Sequence, residues 1–104
     1  MEQQYVLSTI RDTKVVAIVR QVPAESAHDI AAALVEGGLR ALEFTAETPG
    51  IADIIADVRK RLPDSVAVGV GTVLDGETAR LILLAGADLV VTPTLNQKTI
   101  EVCV

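Results

Sequence analysis

The sequence contains no tryptophan, one phenylalanine and one tyrosine, so any core must be built from aliphatic side chains. A lone cysteine, Cys103, excludes an intrachain disulfide. With a single histidine, His28, beside it, no set of metal ligands suggests itself. These scarcities point to a cytoplasmic setting, and neither a metal nor another cofactor is expected. No apolar run approaches the ~20 residues that a membrane helix needs. The opening Met1-Glu2-Gln3-Gln4 lacks a basic region leading into an apolar stretch, which argues against a signal peptide. A surplus of basic residues is missing too. The net charge is −5 and the isoelectric point about 4.7, which makes the chain a poor nucleic-acid binder. Its one basic cluster, Arg59-Lys60-Arg61, reads most simply as the last turn of a helix, favoured there by the helix dipole.

What the sequence does have is aliphatic content. Half of its 104 residues are apolar and the mean hydropathy is +0.44, which is beyond the range of disordered chains. The length suits one domain over residues 1–104. Strand and helix signals alternate four times. Lys14 to Val19 is a β-branched run without polar alternation, as in a parallel strand covered on both faces. Pro23 and Ser26 mark a helix start, Ala27, Ile30, Ala31, Leu34 and Val35 keep helical spacing, and Gly37-Gly38 ends the helix. Ala41 to Thr45 is the second strand. Pro49-Gly50 opens a helix with Ile51, Ile54, Ile55, Val58 and Leu62 on one stripe, and Pro63-Asp64 stops it. Val66 to Val70 is the third strand. Asp75 is placed to cap a third helix ending near Gly86. Asp88 to Thr92 is the fourth strand, and Asn96 caps a last helix.

Glu36 to Thr45 and Leu84 to Pro93 share one layout, a helix end, a small-residue turn and a strand, 48 residues apart. That interval is two βα units, the period of an internally duplicated barrel. The expected fold is α/β, with four units of a parallel (β/α)₈ TIM-type barrel. A closed barrel takes about 200 residues or more, so the chain reads as a half-barrel or a truncated barrel. Its apolar last residues, Ile100 to Val104, look like a helix cut in mid-course. A doubly wound open sheet is the alternative.

In either architecture chemistry sits at the C-terminal ends of the strands. Glu43 lies between Leu42 and Phe44 in an otherwise apolar strand. Burial would raise its pKa and suit it to proton transfer, or it could be neutralised in a salt bridge with Arg20. Arg20, after five apolar residues, could hold a carboxylate or phosphate through two parallel hydrogen bonds, or could be a plain surface arginine. Gly69-Val70-Gly71-Thr72 could admit an anion to backbone N–H groups, or could be a tight strand-to-helix turn. It is no dinucleotide fingerprint, since the third glycine would fall at Leu74. His28 reads as a solvent-facing helix residue.

Together, VVAIVR, GGLRALEFT, GVGTVL and AGADLVVTP resemble the bacterial 2-keto-3-deoxy-6-phosphogluconate (KDPG) / 4-hydroxy-2-oxoglutarate (KHG) aldolases, in order and spacing along the whole chain. The resemblance implies the N-terminal half of a (β/α)₈ barrel, trimeric in the family, which cleaves a 2-keto acid to pyruvate and an aldehyde through a lysine Schiff base. It implies proton transfer by Glu43, binding of the pyruvate carboxylate by Gly71 and Thr72, anion binding by Arg20, and pocket-lining positions at Thr45 and Pro93. The implied partner is a small 2-keto acid, with neither nucleic acid nor membrane. Two departures stand out. Glu47 replaces a basic residue common in the family, and the Schiff-base lysine belongs to a sixth strand that these residues do not include. Lys14, Lys60 and Lys98 occupy no position that could replace it. A non-enzymatic half-barrel assembly domain and a phosphate-sugar barrel isomerase are the competing readings.

Overall fold

The computed structural model of the protein describes residues 2–104. Helices and strands alternate as α1 (Gln3–Thr13), β1 (Ala17–Val19), α2 (Ala24–Glu36), β2 (Ala41–Thr45), α3 (Ile51–Arg61), β3 (Ala67–Gly71), α4 (Gly76–Ala85), β4 (Leu89–Val90) and α5 (Gln97–Cys103). The strands form one sheet in the order β1-β2-β3-β4, and each neighbouring pair is parallel. A doubly wound sheet would reverse its order at a switch point. None occurs here, so that alternative falls, and the sequential order is that of a barrel wall.

The sheet sorts its side chains by alternation. Leu42, Phe44, Val68 and Val70 face the helices and share a core with Ala27, Ala31, Ile54, Ile55, Val58 and Ile82. Ala41 and Ala67 face the other way and pack with Val6 of α1. Helix α1 therefore covers the N-terminal end of the sheet's inner face. The sequence pattern did not announce it, because only Val6 of α1 is buried, while Tyr5 and Leu7 stay exposed. A helix with so narrow an apolar stripe gives almost no periodic signal. Lys14, expected to begin strand one, instead terminates α1. It adopts a left-handed conformation, φ 62°, with its N–H donating to the Ile10 carbonyl at 2.7 Å. Strand β1 starts three residues later. The fourth strand is likewise shorter than residues 88–92.

The suspected duplication has a backbone counterpart. Gly38 and Gly86 are both left-handed, at φ 111° and 115°. In both turns the next residue closes the helix end: Leu39 N–H donates to Leu34 O at 3.1 Å, and Ala87 N–H to Ile82 O at 3.0 Å. Only glycine takes this conformation without steric cost. The expected caps form as well. A side-chain oxygen of Asp75 accepts from Thr78 N–H at 2.6 Å, and one of Asn96 from Thr99 N–H at 2.9 Å.

Arg59 does more than complement a helix dipole. It donates to the carbonyls of Val66 and Pro63, both at 2.6 Å, and pairs with the buried Asp88 carboxylate, which also accepts from Val68 N–H at 2.9 Å. One guanidinium thus joins the end of α3 to the starts of β3 and β4. His28 departs from expectation. Its side chain is only 20% exposed, and its Nδ1 is buried without a hydrogen-bond partner, because it borders the apolar stripe at Ala27 and Ala31 instead of facing water. Among the described residues no helix is long and apolar enough to cross a membrane.

Candidate active site

The inner face of the sheet is built by strand register. Ile18 aligns with Glu43, Glu43 with Gly69 and Thr45 with Gly71, and Gly69 with Leu89. Strand β3 therefore presents two bare glycines where its neighbours carry side chains. A Cβ on Gly71 would lie 2.1 Å from Glu43 Oε1, and a Cβ on Gly69 would lie 2.5 Å from Leu89 Cγ. The Glu43 carboxylate rests over Gly71, and Leu89 over Gly69. The Gly-x-Gly spacing thus has a packing reason within the strand.

Glu43 is 5% exposed. Burial raises its carboxyl above the ordinary range, and the nearby Arg20 charge opposes this only in part. The salt bridge with Arg20, the alternative reading of Glu43, does not form. Arg20 Nη1 instead donates to Glu47 Oε1 at 2.5 Å. The physical reason is position. Arg20 and Glu47 both lie at the exposed exits of β1 and β2, whereas Glu43 sits two residues below the β2 exit. No donor among the described residues hydrogen-bonds to the Glu43 carboxylate. Glu47, by contrast, is held below the ordinary range, first by its own backbone N–H and further by Thr45 and Arg20.

The rim above Glu43 is ordered by hydroxyls. Thr45 Oγ1 and Thr48 Oγ1 lie 3.2 Å apart, and Thr48 Oγ1 accepts from Gln21 N–H at 3.3 Å. Both threonines are buried, so the exits of β1 and β2 are tied together. Thr72 takes a left-handed conformation at φ 58°, which a β-branched residue rarely adopts. Such strain persists where surrounding structure enforces it, and it concentrates at functional sites. Thr72 and Glu47 line a groove of about 210 Å³ with Ala46, Leu74, Asp75 and Thr78. Larger hollows lie elsewhere, beside Tyr5 and Asp64 and in the helix layer between α2 and α3.

Glu43, Thr45, Gly71 and Thr72 therefore converge, with Arg20 at the rim engaged by Glu47. Pro93 is exposed in the loop after β4 and lines no part of the groove. Thr48 and the left-handed Gln21 escaped sequence reading. Each looks like an ordinary loop residue until the fold brings the two loops together. The sequence model of one family, described as "Aldolase: KDPG and KHG aldolase", matches residues 6–104.

The chain belongs to the KDPG and KHG aldolase family.

It is 34% identical over 100 residues to the 2-dehydro-3-deoxy-phosphogluconate aldolase of Haemophilus influenzae, a match covering 96% of this chain and 47% of the relative. Two KDPG aldolase structures are similar in fold. That of Zymomonas mobilis, solved with 3-phosphoglycerate, has a TM-score of 0.78 at 33% identity and covers 91% of this chain and 44% of its own. That of Legionella pneumophila, solved with pyruvate captured as a covalent carbinolamine, has a TM-score of 0.77 at 25% identity, covering 84% and 42%. The chain thus spans about half the length of the curated KDPG aldolases it matches, as four units of an eight-unit TIM-type barrel would.

Proposed function

We propose that this chain contributes the acid–base wall of an aldolase site that cleaves KDPG or KHG to pyruvate and an aldehyde through a lysine Schiff base. The observation that carries the proposal is the Glu43 carboxyl: buried, held above its ordinary pKa and without a protein hydrogen bond, at the C-terminal half of a parallel barrel strand. Aldol cleavage needs a base for the C4 hydroxyl proton, an electron sink for the breaking C3–C4 bond, and an acid to return a proton to C3. Glu43 suits the first and last tasks, because burial raises its carboxyl above the ordinary range and so favours taking up and returning a proton. The sink is an iminium ion formed on a lysine outside these four units. The carbinolamine in the Legionella relative supports that amine chemistry for the family.

In this reading Gly71 and Thr72 receive the pyruvate carboxylate, Thr45 lines the pocket, Pro93 joins it from the β4 loop only in the closed barrel, and Arg20 meets a substrate anion after leaving Glu47. The whole protein is then a homo-oligomer, trimeric by its family resemblance.

The test combines the 104-residue chain with the C-terminal half of the Haemophilus relative, supplied as a separate chain. Borohydride with pyruvate should trap an adduct on the added half, and KDPG should release pyruvate. Glu43→Gln should lower release about 10²- to 10⁴-fold while trapping persists. Full release by the Glu43→Gln variant would remove Glu43 from the proton-transfer role.

A further inference from the structure

The Arg20–Glu47 contact closes the rim above Glu43. Arg20 Nη1 and Glu47 Oε1 lie 2.5 Å apart, at the exits of β1 and β2. These strands pair with each other, so the contact is internal to the two units. Its partners are unequal. The Glu47 carboxylate also accepts from its own backbone N–H and from the Thr45 hydroxyl. Thr45 Oγ1 in turn lies 3.2 Å from Thr48 Oγ1, which accepts from Gln21 N–H at 3.3 Å. With the Thr45 proton given to Glu47, Thr48 donates to Thr45, and a row of positioned donors runs from the β1 exit to this carboxylate. Arg20 has no such support. Its guanidinium makes no other hydrogen bond or ion pair among the described residues, and its side chain is 58% exposed against 35% for Glu47. When the pair opens, Arg20 is the partner that moves.

That asymmetry decides what the rim can hold. Glu47 also lines the groove beside Thr72, where Asp75 is a second carboxylate and no lining residue is a cation. Arg20 is therefore the cation these residues offer to an anion entering there. That anion must draw Arg20 away from a carboxylate tethered beside it, and its apparent affinity falls by the fraction of Arg20 left unpaired. A neutral hydroxyl meets no such competition. It can hydrogen-bond to the closed pair, because an arginine bound through one N–H keeps others, and a carboxylate has further lone pairs.

We propose that Glu47 is a specificity-determining residue, an internal competitor for Arg20 that disfavours keto acids with a second anionic group against those ending in neutral hydroxyls. The substrate class rests on the aldolase reading, whereas the competition rests on the rim geometry. The 104-residue chain, isotope-labelled and combined with the unlabelled C-terminal half of the Haemophilus relative, is titrated with inorganic phosphate at constant ionic strength. Binding is followed by NMR at the Gln21 amide beside Arg20. Glu47→Gln should tighten phosphate binding about five-fold, the usual upper worth of an exposed ion pair, and should give no gain in an Arg20→Gln background. Asp53→Asn removes an exposed charge from the first turn of α3, at the same end of the units, and should change binding less than about two-fold. Unchanged or weaker binding in Glu47→Gln, a gain that survives Arg20→Gln, or an equal gain in Asp53→Asn would each overturn the proposal. Turnover gives a second readout. Glu47→Gln should lower KM for KDPG about five-fold with kcat little changed. It should leave KM for the unphosphorylated counterpart, 2-keto-3-deoxygluconate, within about two-fold. Equal shifts for both substrates would overturn the specificity role. Absence of both turnover and borohydride trapping would instead count against the aldolase reading, and the phosphate titration would still decide the role of Glu47.

Discussion

The contact between Glu43 and Gly71 is where one residue choice depends on another. A methyl group on Gly71 would overlap the Glu43 carboxylate, so the side chain would have to swing off β3 toward the open row beside Ile18. We expect Gly71→Ala to cost about 1–2 kcal/mol in urea denaturation, as overpacking does, and to cost measurably less in a Glu43→Ala background. Equal costs in the two backgrounds would show that the carboxylate does not rest on Gly71 in solution. The same carboxyl makes a pH prediction. Burial raises its pKa above the ordinary 4.5, so the native state holds the proton more tightly than the unfolded chain. Its contribution to stability is therefore fully present below the unfolded value and is lost as pH rises through the raised folded value. Glu43→Gln keeps the shape and removes the titration. Its stability should gain on the wild type as pH rises from about 4 to about 8, read from urea midpoints, whereas a difference that shrinks over that span would contradict the burial of a raised carboxyl.

At the scale of elements, the parts legible in the sequence were those with strong local signatures. The aliphatic runs of β2 and β3, the stripe of α3, the Asp75 and Asn96 caps and the Gly38 and Gly86 turns each follow from one residue pattern and one physical rule. The parts that were not legible depend on tertiary partners. Helix α1 buries only Val6, and Lys14 takes a left-handed conformation that its side chain does not advertise. In the site, Glu43, Thr45 and Thr72 could be placed at strand ends from the sequence. The choice of Glu47 over Glu43 as the partner of Arg20 required knowing how high each carboxylate stands on β2. Arg59 shows the same limit. Its position in a basic last turn was readable, but its tie to Asp88, 29 residues away, was not. Removing the guanidinium withdraws a charged hydrogen-bond donor from a carboxylate at 3% exposure. Arg59→Met should therefore cost about 3–5 kcal/mol, and the neighbouring exposed Lys60→Met should stay within about 0.5 kcal/mol, both read by chemical denaturation. Equal effects would reduce Arg59 to a dipole partner.

At the scale of the whole molecule, the question is whether these 104 residues can run the aldol reaction unaided. The chain has three lysines. Lys14 lies beyond the N-terminal end of β1, Lys60 in the last turn of α3, and Lys98 in the first turn of α5. All three are exposed, whereas a Schiff-base lysine needs a desolvated pocket to depress its pKa. In the proposed role Glu43 alone would offer proton transfer, worth about 10² to 10⁴ in rate, with nowhere to send the electrons of the breaking carbon–carbon bond. The expected outcome is no pyruvate from KDPG above background in a lactate dehydrogenase-coupled assay of the 104-residue chain. Borohydride with pyruvate should leave its mass unchanged. A stable adduct on Lys14, Lys60 or Lys98, accompanied by pyruvate release, would place the catalytic amine within these four units and overturn the division of labour between Glu43 and a lysine elsewhere in the barrel.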